Sequence, residues 1–276
     1  MSDFLQMMFQ PFVACLILTG IHAYLGLHII ERGVIFVDLA LAQVAAFGAT
    51  VGFLWGFALH TNQNYCISLG FTLIGAAVFA GTRLRKPLVP QEALVGIVYA
   101  VAAAAAVLVL SRAPEGGEEL KNLMVGHLLF VDWSEILKIL VLYSVVGSVH
   151  WLVRKPLLDI SQDPDKAFAR GRRVRWWDFL FYATFGIVVT SSVELAGVLL
   201  VFSFLIVPSV CAVLLAKRVG TRLLIGWLMG SLTSVAGVSA SYFWDLPTGA
   251  TVVCTFGVCL VLSAGVRWVL RLGLAV

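Results

Sequence analysis

Three polar side chains, His22, Asp38 and Gln43, sit where an apolar chain accommodates them least, each between runs of aliphatic residues. Imidazole nitrogen and carboxylate oxygen are good ligands for zinc, manganese or iron(II), and a glutamine carbonyl is a weaker oxygen donor. If the chain turns at Glu31 to Gly33 between antiparallel helices, a rise of about 1.5 Å per residue puts His22 about 14 Å, Asp38 about 9 Å and Gln43 about 16 Å from the turn. The three share a depth range, and a transported metal ion is one use for them. A hydrogen bond between helices, with Asp38 reaching Arg32, is the other, and residue types alone leave both open. His28 follows His22 at about 240° around a helix, so the two do not share a face. His28 suits a membrane interface instead.

A second set, His60, His127, Glu194 and Asp245, falls between apolar runs, where acids and histidines form a candidate outer entrance that attracts cations. His60, with Glu115, Glu118 and Glu119, reads more simply as solvated loop. Glu194 opens an apolar run, which predicts a place near a helix N-terminus where its charge is tolerated. Catalysis has no motif here: GxSxG, HExxH and GxxxxGK[ST] are all absent, so no catalytic residue is assigned. Energy for transport must then come from a gradient or from a separate motor docked on the protein. No run of buried acids extends along several spans, which argues against a proton-coupled carrier.

These groups must be positioned by membrane helices. With 61% hydrophobic and 12% charged residues among 276, and a mean hydropathy of +0.98, the chain is too apolar to fold around one core in water. A helix needs roughly 20 apolar residues to cross about 30 Å of hydrocarbon. Nine stretches meet that measure: 11–30, 33–59, 65–84, 93–110, 134–153, 176–192, 193–216, 221–243 and 248–270. The joints at Glu31 to Gly33 and Ser192 to Val193 are tight, and merging or splitting there would make eight or ten. The expected fold is all-α, a polytopic transmembrane bundle in one domain over residues 1–276, since no repeat, linker or composition shift marks a second. The opening residues hold Asp3 and no Lys or Arg, unlike a cleaved signal peptide, so the first apolar run is expected to stay as an anchor. The five cysteines lack CxxC spacing and lie in or beside apolar runs, which predicts free, buried thiols. Gly48, Gly52 and Gly56 lay a small-residue stripe on the second span, and Gly226 with Gly230 repeats it on the eighth, where backbones can approach closely.

Charge sets the orientation. The stretch 154–175, RKPLLDISQDPDKAFARGRRVR, holds Arg154, Lys155, Lys166, Arg170, Arg172, Arg173 and Arg175 against Asp159, Asp163 and Asp165. With this stretch on the cytoplasmic side, Arg32, Arg83, Arg85, Lys86, Lys217, Arg218, Arg222, Arg267 and Arg271 fall inside as well. Only Arg112 and Lys121 fall outside, with Lys138 one turn into a span. Cytoplasmic segments carry the excess of Lys and Arg, so the N-terminus is placed outside and the C-terminus inside. The same bias accounts for a pI near 8.9 without any nucleic acid partner. Within the stretch, Asp163 can accept from the free N–H groups of a helix start, Pro164 suits the first helical position and Gly171 can end the helix in a left-handed conformation. A short capped helix is predicted, with an apolar Phe168 that only a partner protein would bury. A solvated connector without a partner is the alternative.

In order along the chain, YLGLHIIERGVIFVDLALAQVAAFGATVG, DPDKAFARG, ELAGVLLVFSFLIVPSVCA and DLPTGATVV resemble the metal-uptake ABC permeases over nearly the whole length. Leu195 to Ala212, with its apolar run ending at Pro208, is the most specific match. Asp165, Ala167, Phe168 and Gly171 match the D-x-A-F-x-x-G coupling helix of that family, which docks on the ATPase. The resemblance implies the membrane half of an importer for zinc, manganese or iron(II) in a bacterial plasma or inner membrane. It implies a dimer of permeases in membrane lipid, a cytoplasmic ABC ATPase and an external metal-binding protein. It also implies no covalently bound cofactor: the divalent ion is cargo, and ATP acts on the partner subunit. The second span of the family carries Asp followed four residues later by His, whereas Asp38 is followed by Ala42, and Gln43 lies about 140° around the helix. The metal pair of the family is therefore not intact; His22 on the adjacent helix is a candidate to supply the imidazole, a reading of this sequence and not a feature of the family. A permease for a metal chelate or other small solute, and a gradient-driven carrier or channel, are the readings left open.

The topology has a direct test. In a background without native cysteines, single cysteines placed near Lys121 and near Lys166 are expected to react with an impermeant thiol reagent from opposite sides of the membrane. Labelling of both from outside would reverse the orientation.

Overall fold

Hydrocarbon offers the backbone no hydrogen-bond partner, so each apolar segment has to close its own N–H and C=O groups, and helices are the result. The computed structural model describes residues 2–59, 61–83, 89–112, 126 and 128–273, and no strand occurs among them. In chain order the helices are α1 (Ser2–Arg32), α2 (Val37–Leu54), α3 (Asn62–Thr82), α4 (Gln91–Leu110), α5 (Trp133–Leu152), the short α6 (Arg154–Gln162) and α7 (Pro164–Ala169), then α8 (Val174–Ala196), α9 (Val198–Leu215), α10 (Val219–Trp244) and α11 (Thr248–Gly273). Among the described residues nine of these are long and apolar enough to cross a membrane, in agreement with the expected count.

Three boundaries differ from expectation. Residues 33–36 form a turn with Gly33 at φ +66°, so α2 begins at Val37. The break expected at Ser192 to Val193 falls instead at Gly197, whose φ of +76° favours a residue without a side chain. Ser191 and Ser192 do not end the helix, because their hydroxyls donate to the carbonyls of Ile187 and Val188 four residues back, at 3.0 and 2.7 Å. The polar stretch 154–175 is not one connector with one helix, since α6 precedes α7. All five cysteines are free, yet Cys66 and Cys254 are exposed where burial was expected. An apolar position on a membrane helix faces lipid as readily as it faces a neighbour.

The chain forms two compact units. The first comprises residues 1–30, 127–141 and 199–276. In it Trp227 Nε1 of α10 donates to the Gly20 carbonyl of α1 at 2.9 Å, and Ser209 Oγ of α9 donates to the Ala23 carbonyl at 3.3 Å. Phe204 meets Phe256 edge to face with centroids 5.0 Å apart.

The second unit comprises residues 31–126 and 142–198. Here α2 packs on α3 through small and polar residues, as helices do where apolar burial drives nothing. Ser68 Oγ donates to the Ala45 carbonyl at 2.7 Å, and Asn64 Nδ2 to the carbonyls of Ala49 and Phe57 at 3.0 and 3.1 Å. Thr72 and Thr190 join α3 to α8 by their hydroxyls at 2.9 Å. At Gly48 an added Cβ would lie 2.8 Å from Ser68 Cα and 2.9 Å from Phe71 Cβ, so this glycine sets the α2 to α3 distance. Gly52 likewise faces Asn64, whereas Gly56, at φ +91°, belongs to the turn after α2 and not to the stripe. Gly48→Ala is expected to destabilise the protein by about 1–3 kcal/mol through overpacking. Gly70→Ala on α3, where nothing lies within 4 Å of the new Cβ, should leave the thermal midpoint in detergent unchanged. Equal midpoints for the two variants would remove Gly48 from this role.

Candidate functional site

α2 is buried along most of its length, and Asp38 lies in its first turn with 1% of its surface exposed. The N–H groups of a first turn favour an acidic side chain, but neither carboxylate oxygen of Asp38 has a hydrogen-bond partner among the described residues. The expected alternative, a bond from Asp38 to Arg32, is not formed, because Arg32 binds Asp178 and Ser161. Gln43 is buried on the same helix, 5% exposed. His22 is fully buried on α1, in the other unit, and its Nδ1–H donates to the Leu18 carbonyl at 2.8 Å. That bond assigns the tautomer in which Nε2 carries the lone pair, the arrangement a metal-binding histidine uses. His28 is buried against Tyr24, with ring centroids 4.8 Å apart. No group of three or more His, Cys, Asp or Glu able to hold a metal ion occurs among the described residues.

Of the candidate outer entrance, His127 lies outside the described residues, as does His60. Asp245 is exposed in a left-handed conformation, φ +50°, just after α10. Glu194 is not at a helix N-terminus: because the break moves to Gly197, it falls in the last turn of α8. There it lines a cavity of about 30 Å³ with Ala45, Ala49, Asn64, Tyr65, Ser68 and Thr190, all in the second unit. That space suffices for a water molecule. Ala45 and Ala49 follow Asp38 by two and three helical turns on the same face of α2.

The predicted capped helix is present as α7. Asp163 accepts from the Lys166 backbone N–H at 2.9 Å, Pro164 takes the first position, and Gly171 adopts φ +70°. The Lys166 side chain, 2.7 Å away, and the backbone N–H hold the Asp163 carboxyl below the usual carboxylate range, so the cap stays ionised at neutral pH. Ala167 is buried against Ile160 and Val174, and Phe168 packs on that cluster. Phe168 is therefore half-buried by its own chain, contrary to the expectation that only a partner would cover it; Asp165 is exposed.

Sequence reading missed a buried charge cluster in the second unit. Arg32 Nη1 donates to Asp178 Oδ1, Arg32 Nε donates to Ser161 Oγ at 2.9 Å, and Arg83 Nε lies 3.1 Å from Asp178 Oδ2. Arg32 and Arg83 are each 8% exposed and Asp178 is fully buried. The guanidinium of Arg32 also lies 4.0 Å over the Phe181 ring. The available signal was Asp178 itself, a lone acid inside RWWDFLFY one turn into an apolar span.

The profile of the ABC 3 transport family matches residues 4–267. The manganese transport system membrane protein MntC of Listeria monocytogenes is 25% identical over 91% of this chain and 86% of its own length. The chelated iron transport system membrane protein YfeC of Yersinia pestis is 23% identical over 86% of this chain and 78% of its own. Among solved structures, PsaBC from Streptococcus pneumoniae in complex with Fab superposes with a TM-score of 0.79 at 19% identity, covering 95% of this chain and 94% of that one. A metal-chelate type ABC transporter in an inward-facing conformation gives 0.69 at 18% identity, covering 91% and 85%. With a family match over residues 4–267, nearly its whole length, the chain belongs to the ABC 3 transport family.

Proposed function

We propose that this chain is the permease subunit of an ABC importer that moves a divalent transition metal ion into the cytoplasm. The observation that carries this reading is the likeness, over about nine tenths of the chain, to membrane proteins named for manganese transport. The relatives' names put manganese and iron ahead of zinc. A chelated form of the metal is the second reading, favoured by the name of the Yersinia relative. Two copies of the permease work with a cytoplasmic ATPase and an external metal-binding protein; ATP is hydrolysed on the ATPase, and the chain itself is no enzyme. It sits in a bacterial plasma or inner membrane with its N-terminus outside.

Asp38 is the proposed ligand on the metal path. A carboxylate buried without a partner in a membrane helix is costly, and a passing cation relieves that cost. The face of α2 from Asp38 through Ala45 and Ala49 leads to the cavity beside Glu194, which serves as the outer approach. Gln43 adds an oxygen donor on the same helix, and His22 is tested alongside as the candidate imidazole. In liposomes holding the whole complex, Asp38→Ala and His22→Ala are each expected to abolish uptake of radioactive manganese and iron, with ATPase assembly and basal hydrolysis intact. Near-normal uptake per folded molecule in Asp38→Ala would take this residue off the path.

The ATPase docks on α7 through Asp165, Phe168 and Gly171, whereas Ala167, expected among the contacts, is buried against Ile160 and Val174 and seats the helix instead. Phe168→Ala removes the apolar contact, and Gly171→Pro forbids the positive φ that ends the helix. Each is expected to weaken ATPase binding by about tenfold or more, the loss typical of a buried aromatic anchor, while the permease remains in the membrane. Unchanged co-purification and unchanged uptake in both would refute docking at α7.

A further inference from the structure

The buried cluster around Arg32 joins, within the second unit, the helices before the proposed docking site to the start of α2. Arg32 is the last residue of α1, and only the turn 33–36 separates it from α2. Its guanidinium binds in two directions: Nη1 to Asp178 on α8, and Nε to Ser161 on α6 at 2.9 Å. Ser161 lies two residues before Asp163, the residue that caps α7. Asp178 in turn is held from the end of α3 by Arg83 at 3.1 Å.

Two guanidinium groups on one carboxylate leave an excess of buried positive charge. Arg32 Nη2 and Arg83 Nη1 are buried with no hydrogen-bond partner among the described residues. Such a cluster is poor glue, because apolar residues of the same size often stabilise a fold as well as a buried ion pair does. Its distinctive property is direction. The planar fork of arginine fixes the relative placement of every group it binds, which a lysine ammonium does not.

We propose that Arg32 is a positioning residue that makes α6 and α7 move together with the start of α2, with Ser161 as its joint to α6 and Asp178 as its anchor on α8. The proposal rests on the reading that α7 receives the ATPase. A displacement of α7 acts through Asp163 on Ser161, through the Ser161 hydroxyl on Arg32 Nε, and through the turn 33–36 on the helix that carries Asp38. Arg32 itself does not touch the cargo.

The test uses the permease with its ATPase and external binding protein in liposomes, and reads manganese ions moved per ATP hydrolysed. Ser161→Ala removes the joint and leaves the ion pair. It is expected to keep ATPase co-purification and basal hydrolysis per folded molecule at a modestly lower thermal midpoint, and to lower the ratio about tenfold, the effect of one hydrogen bond to a charged group. Ser161→Thr, which keeps the hydroxyl, is expected to restore the ratio. Arg32→Lys is expected to lower it as well; where that variant does not fold, the Ser161 pair decides. An unchanged ratio in Ser161→Ala, or a loss that Ser161→Thr does not restore, overturns the proposal. If the wild-type complex retains no ATPase or moves no metal, the functional reading fails and this proposal falls with it, a result seen before any variant is made.

Discussion

The absence of hydrogen-bond partners in hydrocarbon decides how this chain handles each polar atom it buries. Most hydroxyls solve the problem locally: Ser203, Ser234 and Thr184 donate to the carbonyls of Leu199, Gly230 and Leu180, each four residues back. Others cross between helices, where Asn64 and Ser68 reach α2 carbonyls and Tyr143 meets Ser192 at 2.6 Å. Those crossings need close backbones, and Gly48 provides the approach for α2 and α3. Small residues and hydroxyls are therefore one device, since each makes the other effective.

Against that background two buried aspartates have opposite fates. Asp178 is held between Arg32 and Arg83, so its charge is balanced within the protein. Asp38, 1% exposed, has no hydrogen-bond partner among the described residues and lies at the favourable end of its own helix. A carboxylate held by two guanidinium groups is a fixture. One without a partner is free to bind and release, and on the proposed function that difference separates a structural acid from a ligand.

The spans were legible because their signal is coarse: a run of about 20 apolar residues survives any uncertainty about which face is buried. The α7 cap was legible for the opposite reason, since Asp163, Pro164 and Gly171 each act on their own backbone and need no tertiary context. Glu194 was misplaced because Ser191 and Ser192 read as a break, while their back-bonding to α8 and the positive φ of Gly197 put the break later. Phe168 reads from sequence as needing a partner for burial, because the cluster of Ile160, Ala167 and Val174 that covers it joins three separate helices. The Arg32 to Asp178 bond was out of reach for the same reason, as it spans 146 residues that no local pattern relates. Among the candidate site residues, then, type could be read, and pairing could not.

What α2 lacks bears on the cargo. Where the resemblance to metal-uptake permeases implies an imidazole one turn after the acid, this helix has Ala42, buried at 1%, and it continues with Ala45 and Ala49 on the same face. Asp38 is then the charged donor that α2 offers, with the carbonyl of Gln43 around the helix. Carboxylate and carbonyl oxygens suit hard cations such as manganese, whereas imidazole suits zinc and iron. Removing an imidazole lowers affinity for every one of these metals, but it lowers it most for the softer ones. It also leaves fewer bonds to break when the ion moves on, and conduction depends on binding that is weak enough to leave. On the proposed function, an α2 built on oxygen alone therefore favours manganese over zinc as the cargo, through the ligand it omits.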